Sequence, residues 1–80
     1  MSLQEKLLKL NALKKLQNKT ILVSGATGLI GKALVRELLN LNKSANLNLK
    51  LILVVRDYSK LDFYLNQYID EGTIKVIIQD

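Results

Sequence analysis

The 80-residue sequence contains no cysteine and no histidine. The absence of cysteine excludes disulfides and thiolate nucleophiles, and the absence of both residue types excludes the usual zinc-binding clusters. Without histidine the chain also has no imidazole that could act as a general base. We therefore expect no metal site. A chain without cysteine is compatible with a reducing compartment, and we expect a cytoplasmic location.

Long apolar runs are also missing, since no run approaches the roughly 20 residues needed to cross a bilayer. The first residues, "MSLQEKLLKLNALKKL", have no continuous apolar core and no small-residue cleavage site, so they predict no signal peptide. We expect this leucine- and lysine-rich segment to pack on its own protein rather than on a membrane surface. No membrane partner is therefore expected.

The charge is positive, with 12 basic against 7 acidic residues and a net charge of +5. The lysines are scattered and the few aromatic residues lie elsewhere, whereas nucleic-acid binding modules combine a basic stripe with aromatics. We interpret the charge as a solvated surface and expect no nucleic-acid partner. Hydrophobic residues make up 49% of the chain, which is typical of one small globular domain with a marginal core.

Helical and strand patterns alternate along the chain. Apolar spacing without Gly or Pro predicts an N-terminal helix over residues 3–17. Short apolar runs predict strands at 20–24, 50–55 and 73–78, the first of them buried on both faces. Helices are predicted at 29–42 and 59–69, with a polar loop at 43–49 and a turn at Glu71-Gly72.

The predicted helices each carry an apolar face. In the N-terminal helix it comprises Leu3, Leu7, Leu10 and Leu13. In the helix over 29–42 it comprises Ile30, Leu34, Leu38 and Leu41. In the helix over 59–69 it comprises Leu61, Tyr64, Leu65 and Tyr68.

Strands that alternate with helices indicate an α/β fold with a parallel sheet and right-handed crossovers. Three strands make the first half of a doubly wound sheet with strand order 3-2-1. We divide the chain into an N-terminal helix at residues 1–18 and half of a nucleotide-binding domain at 19–80. The first strand is expected to have an open edge, so we predict instability of the isolated chain, self-association, or a homodimer that covers this edge. The N-terminal helix is a second candidate for part of this cover.

Three glycines in "TILVSGATGLIGKALVREL" lie where the first strand passes into the helix. Gly25 allows a tight exit from the strand, Gly28 allows a pyrophosphate to approach the backbone, and Gly31 allows the helix to pack closely on the sheet. Backbone N–H groups at such a helix start bind anions. We include Thr27, Leu29 and Ile30 between the glycines in the predicted phosphate site.

Two other interpretations of the glycines compete with a dinucleotide site. One is a plain strand-to-helix turn with no ligand. The other is a P-loop, which requires a glycine five positions before Gly31 and a hydroxyl after Lys32. Ala26 and Ala33 occupy those positions, so the P-loop interpretation is rejected.

The segment "GATGLIG" after "KTILVS" resembles the extended short-chain dehydrogenase/reductase family, whose fingerprint is Gly-x-x-Gly-x-x-Gly. The resemblance runs from about Leu16 to Asp80. It implies a Rossmann-type fold and a nicotinamide dinucleotide cofactor. It also implies a nucleotide-sugar substrate for the full-length enzyme, an epimerase, dehydratase, decarboxylase or reductase of the kind used in polysaccharide biosynthesis.

The end of the second strand decides between the two nicotinamide cofactors. An arginine there accommodates a 2′-phosphate, and an acidic residue binds the free ribose hydroxyls. Arg56 and Lys60 favour NADP, whereas Asp57 either reaches the ribose or pairs with Arg56, so NAD stays as the alternative. By the resemblance, Asp80 after the third strand would bind the adenine amino group.

The resemblance also implies a Tyr-x-x-x-Lys pair that carries out the acid–base chemistry. The residues four positions after Tyr58, Tyr64 and Tyr68 are Asp62, Tyr68 and Gly72. The chain therefore supplies no catalytic residue. We expect the dinucleotide-binding portion of an epimerase or dehydratase that is inactive by itself, with a non-catalytic NAD(P)-binding sensor or interaction module as the alternative.

Overall fold

The computed structural model describes residues 2–79, and for Lys6, Lys9 and Leu10 it describes the backbone alone. Within residues 2–79 three helices, three strands and two 3-10 turns follow one another. In order they are α1 (Leu3–Leu16), β1 (Thr20–Ser24), α2 (Leu29–Ala45), β2 (Lys50–Val55), the 3-10 turns Tyr58–Lys60 and Phe63–Leu65, α3 (Asn66–Asp70) and β3 (Ile74–Ile78).

The three strands form one parallel sheet in the order β1-β2-β3. This order has the same strand neighbours as the predicted order 3-2-1, counted from the opposite edge. The register places Val23 beside Leu53 and Leu53 beside Val76. Because the strands are parallel, their carboxyl ends meet at one edge of the sheet. The chain is thus an α/β protein with a three-stranded parallel sheet, as the alternation of patterns predicts.

The core lies on one face of this sheet, because both crossover segments pack on the same side. Its buried side chains come from all three strands, from α2 and from the second 3-10 turn; they are Val23, Ala26, Val35, Leu38, Leu39, Leu51, Leu53, Val55, Leu65 and Ile74. The opposite face carries Leu22, Ile52, Val54 and Ile77. Leu22 is 61% exposed, so the prediction that β1 is buried on both faces is wrong.

Helix α2 begins where the glycine pattern predicts but turns a different side toward the sheet. Val35, Leu38 and Leu39 are buried, whereas Ile30 and Leu34 are 84% and 46% exposed. The apolar face predicted from the leucines is therefore rotated by about a quarter of a turn, at 100° per residue. Only Leu38 is both predicted and buried, and Leu41 is half-buried.

Gly31 explains this rotation. An added Cβ at Gly31 would lie 2.1 Å from the backbone oxygen of Gly25, so the helix touches the strand-exit turn at this point. Val35, Leu38 and Leu39 follow Gly31 at spacings of four, seven and eight residues, which places them on the same side of the helix. The close backbone contact, rather than the richest leucine stripe, decides which side of α2 is buried.

The end of α2 also differs from the prediction, since the helix continues to Ala45 and the loop is shortened to residues 46–49. Asn46 has φ 52° and caps the helix in the left-handed conformation. Asparagine adopts this conformation more readily than other residues with a Cβ, and it takes the place usually held by glycine. The polar composition of 43–49 therefore marked a loop three residues too early.

The predicted helix over 59–69 is wrong in its first half. Two 3-10 turns precede the short helix α3, and the chain is extended at Leu61 and Asp62 between the two turns. Of the side chains predicted to face inward, Leu65 is buried, and Leu61 and Tyr68 pack half-buried against the core. Tyr64 is instead exposed, with the Arg36 guanidinium 5.8 Å from its ring centroid.

Helix α1 forms where predicted but does not lie along the edge of β1. Leu3, Leu7 and Leu8 are exposed, and the side chain of Leu10 lies outside the described part of the structure. Half-buried Leu13 lines a groove shared with the end of α2, whose lining is Leu13, Lys14, Gln17, Leu41, Ser44, Ala45 and Leu47. The expectation that α1 covers the open edge of the sheet is therefore not met.

The junction between α1 and β1 is fixed by hydrogen bonds to the loop before β2. Asn18 and Asn48 both have left-handed backbones, with φ 62° and 56°. The Asn48 side-chain amide donates to Asn18 Oδ1 at 2.9 Å, and the Asn18 backbone N–H donates to the Leu47 carbonyl at 2.8 Å. No helix within residues 2–79 has the length and apolar character needed to cross a bilayer.

Candidate nucleotide-binding cleft

A cleft of about 690 Å³ opens at the carboxyl edge of the sheet. Each strand contributes the residue that follows it, namely Gly25 after β1, Arg56 after β2 and Gln79 after β3. The full lining is Gly25, Thr27, Lys32, Val54, Val55, Arg56, Asp57, Lys60 and Gln79. Ligands of open parallel α/β sheets bind outside the carboxyl ends of the strands, and this volume is within the usual range of ligand pockets.

The first wall of the cleft is the turn from β1 to α2. Gly25 has φ 66°, a left-handed conformation that favours glycine. The Gly28 N–H closes the turn by donating to the Gly25 carbonyl at 3.0 Å, and the first helical bond runs from Lys32 N–H to the Gly28 carbonyl at 2.9 Å. The N–H groups of residues 29–31 therefore have no acceptor within the helix.

The predicted phosphate site is divided between two sides of this turn. Gly25 and Thr27 line the polar cleft, whereas Gly28, Leu29, Ile30 and Gly31 line a second cleft of about 510 Å³ together with Val23, Ser24, Gly25 and Leu34. The side chains of Leu29 and Ile30 are exposed. Any part these two residues take in anion binding would come from their backbone N–H groups.

The second wall follows β2 and begins with Arg56. Arg56 and Asp57 lie directly beyond Val55, and the 3-10 turn brings Lys60 to the same cleft. The Asp57 carboxylate does not pair with Arg56. Its Oδ1 accepts hydrogen bonds from the Ser59 backbone N–H at 3.0 Å and from the Ser59 hydroxyl at 2.8 Å. The Arg56–Asp57 ion pair left open by the sequence is thus not formed.

Asp57 caps its own 3-10 turn, and this sets its electrostatics. The Ser59 hydroxyl, and then the Ser59 backbone N–H, hold the pKa of Asp57 below its ordinary value, and the charge of Lys60 adds to the lowering. The carboxylate is therefore ionised at neutral pH. One oxygen is occupied by the cap, which leaves Oδ2 as the oxygen that could reach a ribose hydroxyl.

Sequence reasoning missed two polar residues of the cleft, Lys32 and Gln79. Lys32 enters the sequence predictions only through the P-loop pattern, although its position in the first turn of α2 is the signal that could have identified it. Gln79 is the first residue beyond β3, so the rule that parallel strands end at one edge would have placed it there. Asp80, predicted to contact adenine, lies outside the described residues.

Among the described residues the charge of the cleft is basic, because its lining contains Lys32, Arg56 and Lys60 against the carboxylate of Asp57. Uncapped helical N–H groups and cationic side chains together favour an anionic ligand. No protein-family model, curated protein or solved structure matches this chain. The function is therefore proposed from the residues and geometry of the chain itself.

Proposed function

We propose that this chain is the dinucleotide-binding part of an NAD(P)-dependent enzyme of the extended short-chain dehydrogenase/reductase type, acting on a nucleotide sugar. The observation that carries the proposal is the cleft at the carboxyl edge of the sheet. It combines the glycine turn after β1 with the Arg56-Asp57 pair after β2. In a Rossmann-type half-domain, the pyrophosphate would bind at the first position and the adenosine ribose at the second.

A pyrophosphate would be held at the turn from β1 to α2, between the polar cleft and the second cleft that Gly28, Leu29, Ile30 and Gly31 line. The free N–H groups at the start of α2 point along the positive end of the helix dipole, and Gly28 adds no side chain in front of them. Thr27 supplies a hydroxyl to the polar cleft on the other side of the turn. This combination binds a charged, oxygen-rich group better than it binds an apolar one.

The donor groups on the β2 side favour NADP over NAD. Arg56 presents a planar fork of N–H donors that matches a phosphate, and Lys60 adds a second positive charge to the same wall. Asp57 would favour the free 2′-hydroxyl of NAD, but one of its oxygens is engaged by Ser59. The balance of available groups is therefore cationic.

The dinucleotide, when bound, would supply hydride transfer at its nicotinamide ring. The residues of this chain would hold its phosphates and adenosine half, and none of its tyrosines is followed four residues later by a lysine. This lack of an acid–base pair favours one other candidate, a non-catalytic NAD(P)-binding sensor or interaction module. A Tyr-x-x-x-Lys pair elsewhere in the native polypeptide would favour the enzyme over the non-catalytic module.

The test is calorimetric titration of the folded chain with NADPH and, separately, with NADH. We expect NADPH to bind more tightly. Arg56→Ala should remove about 10- to 100-fold of affinity for NADPH and little for NADH, as expected for loss of a charge-assisted hydrogen bond. Arg36→Ala is the matched control, because Arg36 stacks on Tyr64 and does not line the cleft.

Two results would contradict the proposal. Equal binding of NADPH and NADH by the wild-type chain would remove the NADP preference but keep the dinucleotide site. No binding of either by a chain whose circular dichroism shows it folded would reject the site itself. The glycines would then serve only the packing of α2 on its turn.

A further inference from the structure

The start of α2 has an excess of positive charge that its own sequence does not balance. Gly28 provides no side-chain cap, and the first turn of the helix contains no acidic residue. Lys32 adds an ammonium group where the helix dipole is already positive. A cation in this position is unfavourable, whereas an anion there stabilises the helix.

The balancing charge comes from a different segment of the chain. Lys32 Nζ lies 3.4 Å from Asp62 Oδ1, and the two side chains are 40% and 36% exposed. Asp62 stands at the start of the second 3-10 turn but makes no capping hydrogen bond there, unlike Asp57 at the first turn. Its carboxylate is therefore directed to Lys32 rather than to its own backbone.

Lys32 also lines the cleft proposed to hold the dinucleotide. We propose that Asp62 acts as a built-in competitor for the phosphates of the ligand. In the free protein Asp62 holds the Lys32 ammonium, and in the complex a phosphate of the dinucleotide replaces Asp62 as its partner. This inference rests on the proposed function, and it makes Asp62 a residue that sets affinity without touching the ligand.

The exchange needs no movement of the segment that carries Asp62. Leu65 is buried in the core, and Tyr64 is held by the Arg36 guanidinium 5.8 Å from its ring centroid. Arg36 follows Lys32 by four residues, so the two cations lie on the same side of α2 and face the same segment. When the lysine turns away, these two contacts keep the segment in place.

The lysine is suited to such an exchange. Its flexible four-carbon stem carries a point charge that binds phosphate without a fixed approach direction. An exposed lysine–carboxylate pair is weak, because water screens both charges and the two long side chains lose freedom when they pair. A dinucleotide phosphate beside the helix start offers a stronger partner, because the helix N–H groups bind it at the same time.

The test is NADPH titration of Asp62→Asn, Lys32→Met and the double variant. We expect Asp62→Asn to tighten binding by about two- to fivefold, the range that loss of a weak competing pair allows. Lys32→Met should weaken binding, and Asp62→Asn should have no effect in the Lys32→Met background. The coupling between the two substitutions is the decisive quantity.

Tyr64→Leu is the matched control, because it loosens the same segment and leaves the charges of Lys32 and Asp62 in place. We expect it to leave NADPH affinity unchanged or lower. If Tyr64→Leu tightens binding as much as Asp62→Asn does, segment motion rather than charge competition would be responsible, and the inference is overturned.

The remaining outcomes separate this inference from the proposed function. If the wild-type chain binds NADPH in an Arg56-dependent manner but Asp62→Asn leaves the affinity unchanged or lowers it, the exchange is wrong and the function stands. If the folded wild-type chain binds neither dinucleotide, the proposed function fails and the exchange fails with it.

Discussion

The two long helices begin in opposite ways. At α1 the Ser2 hydroxyl accepts a hydrogen bond from the Glu5 backbone N–H at 3.1 Å, and Glu5 adds a negative charge to the first turn. At α2 the cap is Gly28, with no side-chain hydrogen bond and no acid in the first turn. The first helix takes a side-chain cap from its own sequence, whereas the start of the second has no such cap and lines the cleft of Gly28, Leu29, Ile30 and Gly31.

This difference shows that the two helices are stabilised at their N-termini by different kinds of contact. A serine cap and an early acid are the ordinary local means of stabilising a helix, and they cost no tertiary contact. The glycine start of α2 gives up that stabilisation and gains close approach to the strand-exit turn. Among the described residues, Lys32 in the first turn of α2 forms an ion pair with Asp62. Lys32 also lines the cleft proposed for a phosphate.

The largest expected effect comes from Gly31→Ala, which fills the close contact beneath α2. The added Cβ would lie 2.1 Å from the Gly25 carbonyl oxygen and 2.9 Å from Ala26 Cα, so backbone atoms must move. We expect the free energy of unfolding to fall by about 2–4 kcal/mol. Urea denaturation followed by circular dichroism measures this loss.

Gly72→Ala is the control for Gly31→Ala. Gly72 has φ +84° and no atom within 4 Å of an added Cβ, so only backbone strain of about 1–2 kcal/mol is expected. If both substitutions destabilise the chain equally, α2 does not press on the turn as described.

The next largest effect is expected when an acidic residue is introduced at the start of α2, by analogy with Glu5 in the first turn of α1. Gly28→Asp places a carboxylate before the free N–H groups, so we expect NADPH affinity to fall by more than about tenfold, which corresponds to 1.4 kcal/mol. Stability should change by only a few tenths of a kcal/mol, because glycine is itself a tolerated cap. The added Cβ would lie 3.3 Å from the Gly25 oxygen, a tight but adjustable contact.

Gly28→Asn separates charge from shape in this experiment. Asparagine has the size and capping ability of aspartate without its charge, so its effect on NADPH binding should be the smaller one. Equal losses for the two variants would point to steric exclusion. Unchanged binding in Gly28→Asp would place the phosphate away from the start of α2.

Ser2→Ala removes the cap from the other helix and should have only local consequences. We expect the first turn of α1 to lose about 1 kcal/mol of stability, detected as faster hydrogen exchange of the Glu5 amide. Leu3, Leu7 and Leu8 are exposed, so global unfolding and NADPH binding should stay the same. Impaired NADPH binding would mean that α1 and the cleft are coupled.

The smallest effect concerns a second element with a side-chain cap, the 3-10 turn that begins after Asp57. Ser59→Ala removes the hydroxyl that contributes most to lowering the pKa of Asp57, so this pKa should rise toward 3.8. In the wild type, the stabilisation by Asp57 is complete above that value and is lost as the pH falls through the lower folded-state pKa. In the variant this stabilisation is smaller, and its loss is complete at a higher pH, because the folded-state pKa lies closer to the unfolded-state value.

Carbon-13 detected titration of the Asp57 carboxyl resonance measures this shift. An unchanged pKa in Ser59→Ala would show that the hydroxyl makes no contact with the carboxylate in solution. Asp57→Asn keeps the side-chain shape without the titrating group. The stability of the 3-10 turn in this variant should therefore not depend on pH in this range.

The strands and the start of α2 could be predicted because their signals are local. Continuous apolar runs flanked by polar residues place all three strands to within one residue, and the glycine spacing places Leu29 at the helix start. These features depend on residues that are neighbours in sequence. The grouping of Arg56, Asp57 and Lys60 in one cleft with Gly25 follows equally from the rule that parallel strands end together.

The side of α2 that is buried could not be predicted from leucine periodicity. It depends on contact between Gly31 and the Gly25 carbonyl, which is a property of the folded turn rather than of the helix. The Lys32–Asp62 ion pair could not be predicted from the sequence either. Its partners are 30 positions apart, and they meet only because the segment after β2 folds as two 3-10 turns. A continuous helix over 59–69 would have placed Asp62 differently.

The hydrogen bond between Asn18 and Asn48 ties the orientation of α1 to the conformation of the loop before β2. The helix is 14 residues long, so its free end lies about 21 Å from that junction at 1.5 Å per residue. A small change in the backbone angle at the asparagine pair therefore produces a larger displacement at the far end of α1. Insertions in the loop at residues 46–49 would redirect α1 while leaving the cleft at the carboxyl edge of the sheet, at the other end of the strands, in its present shape.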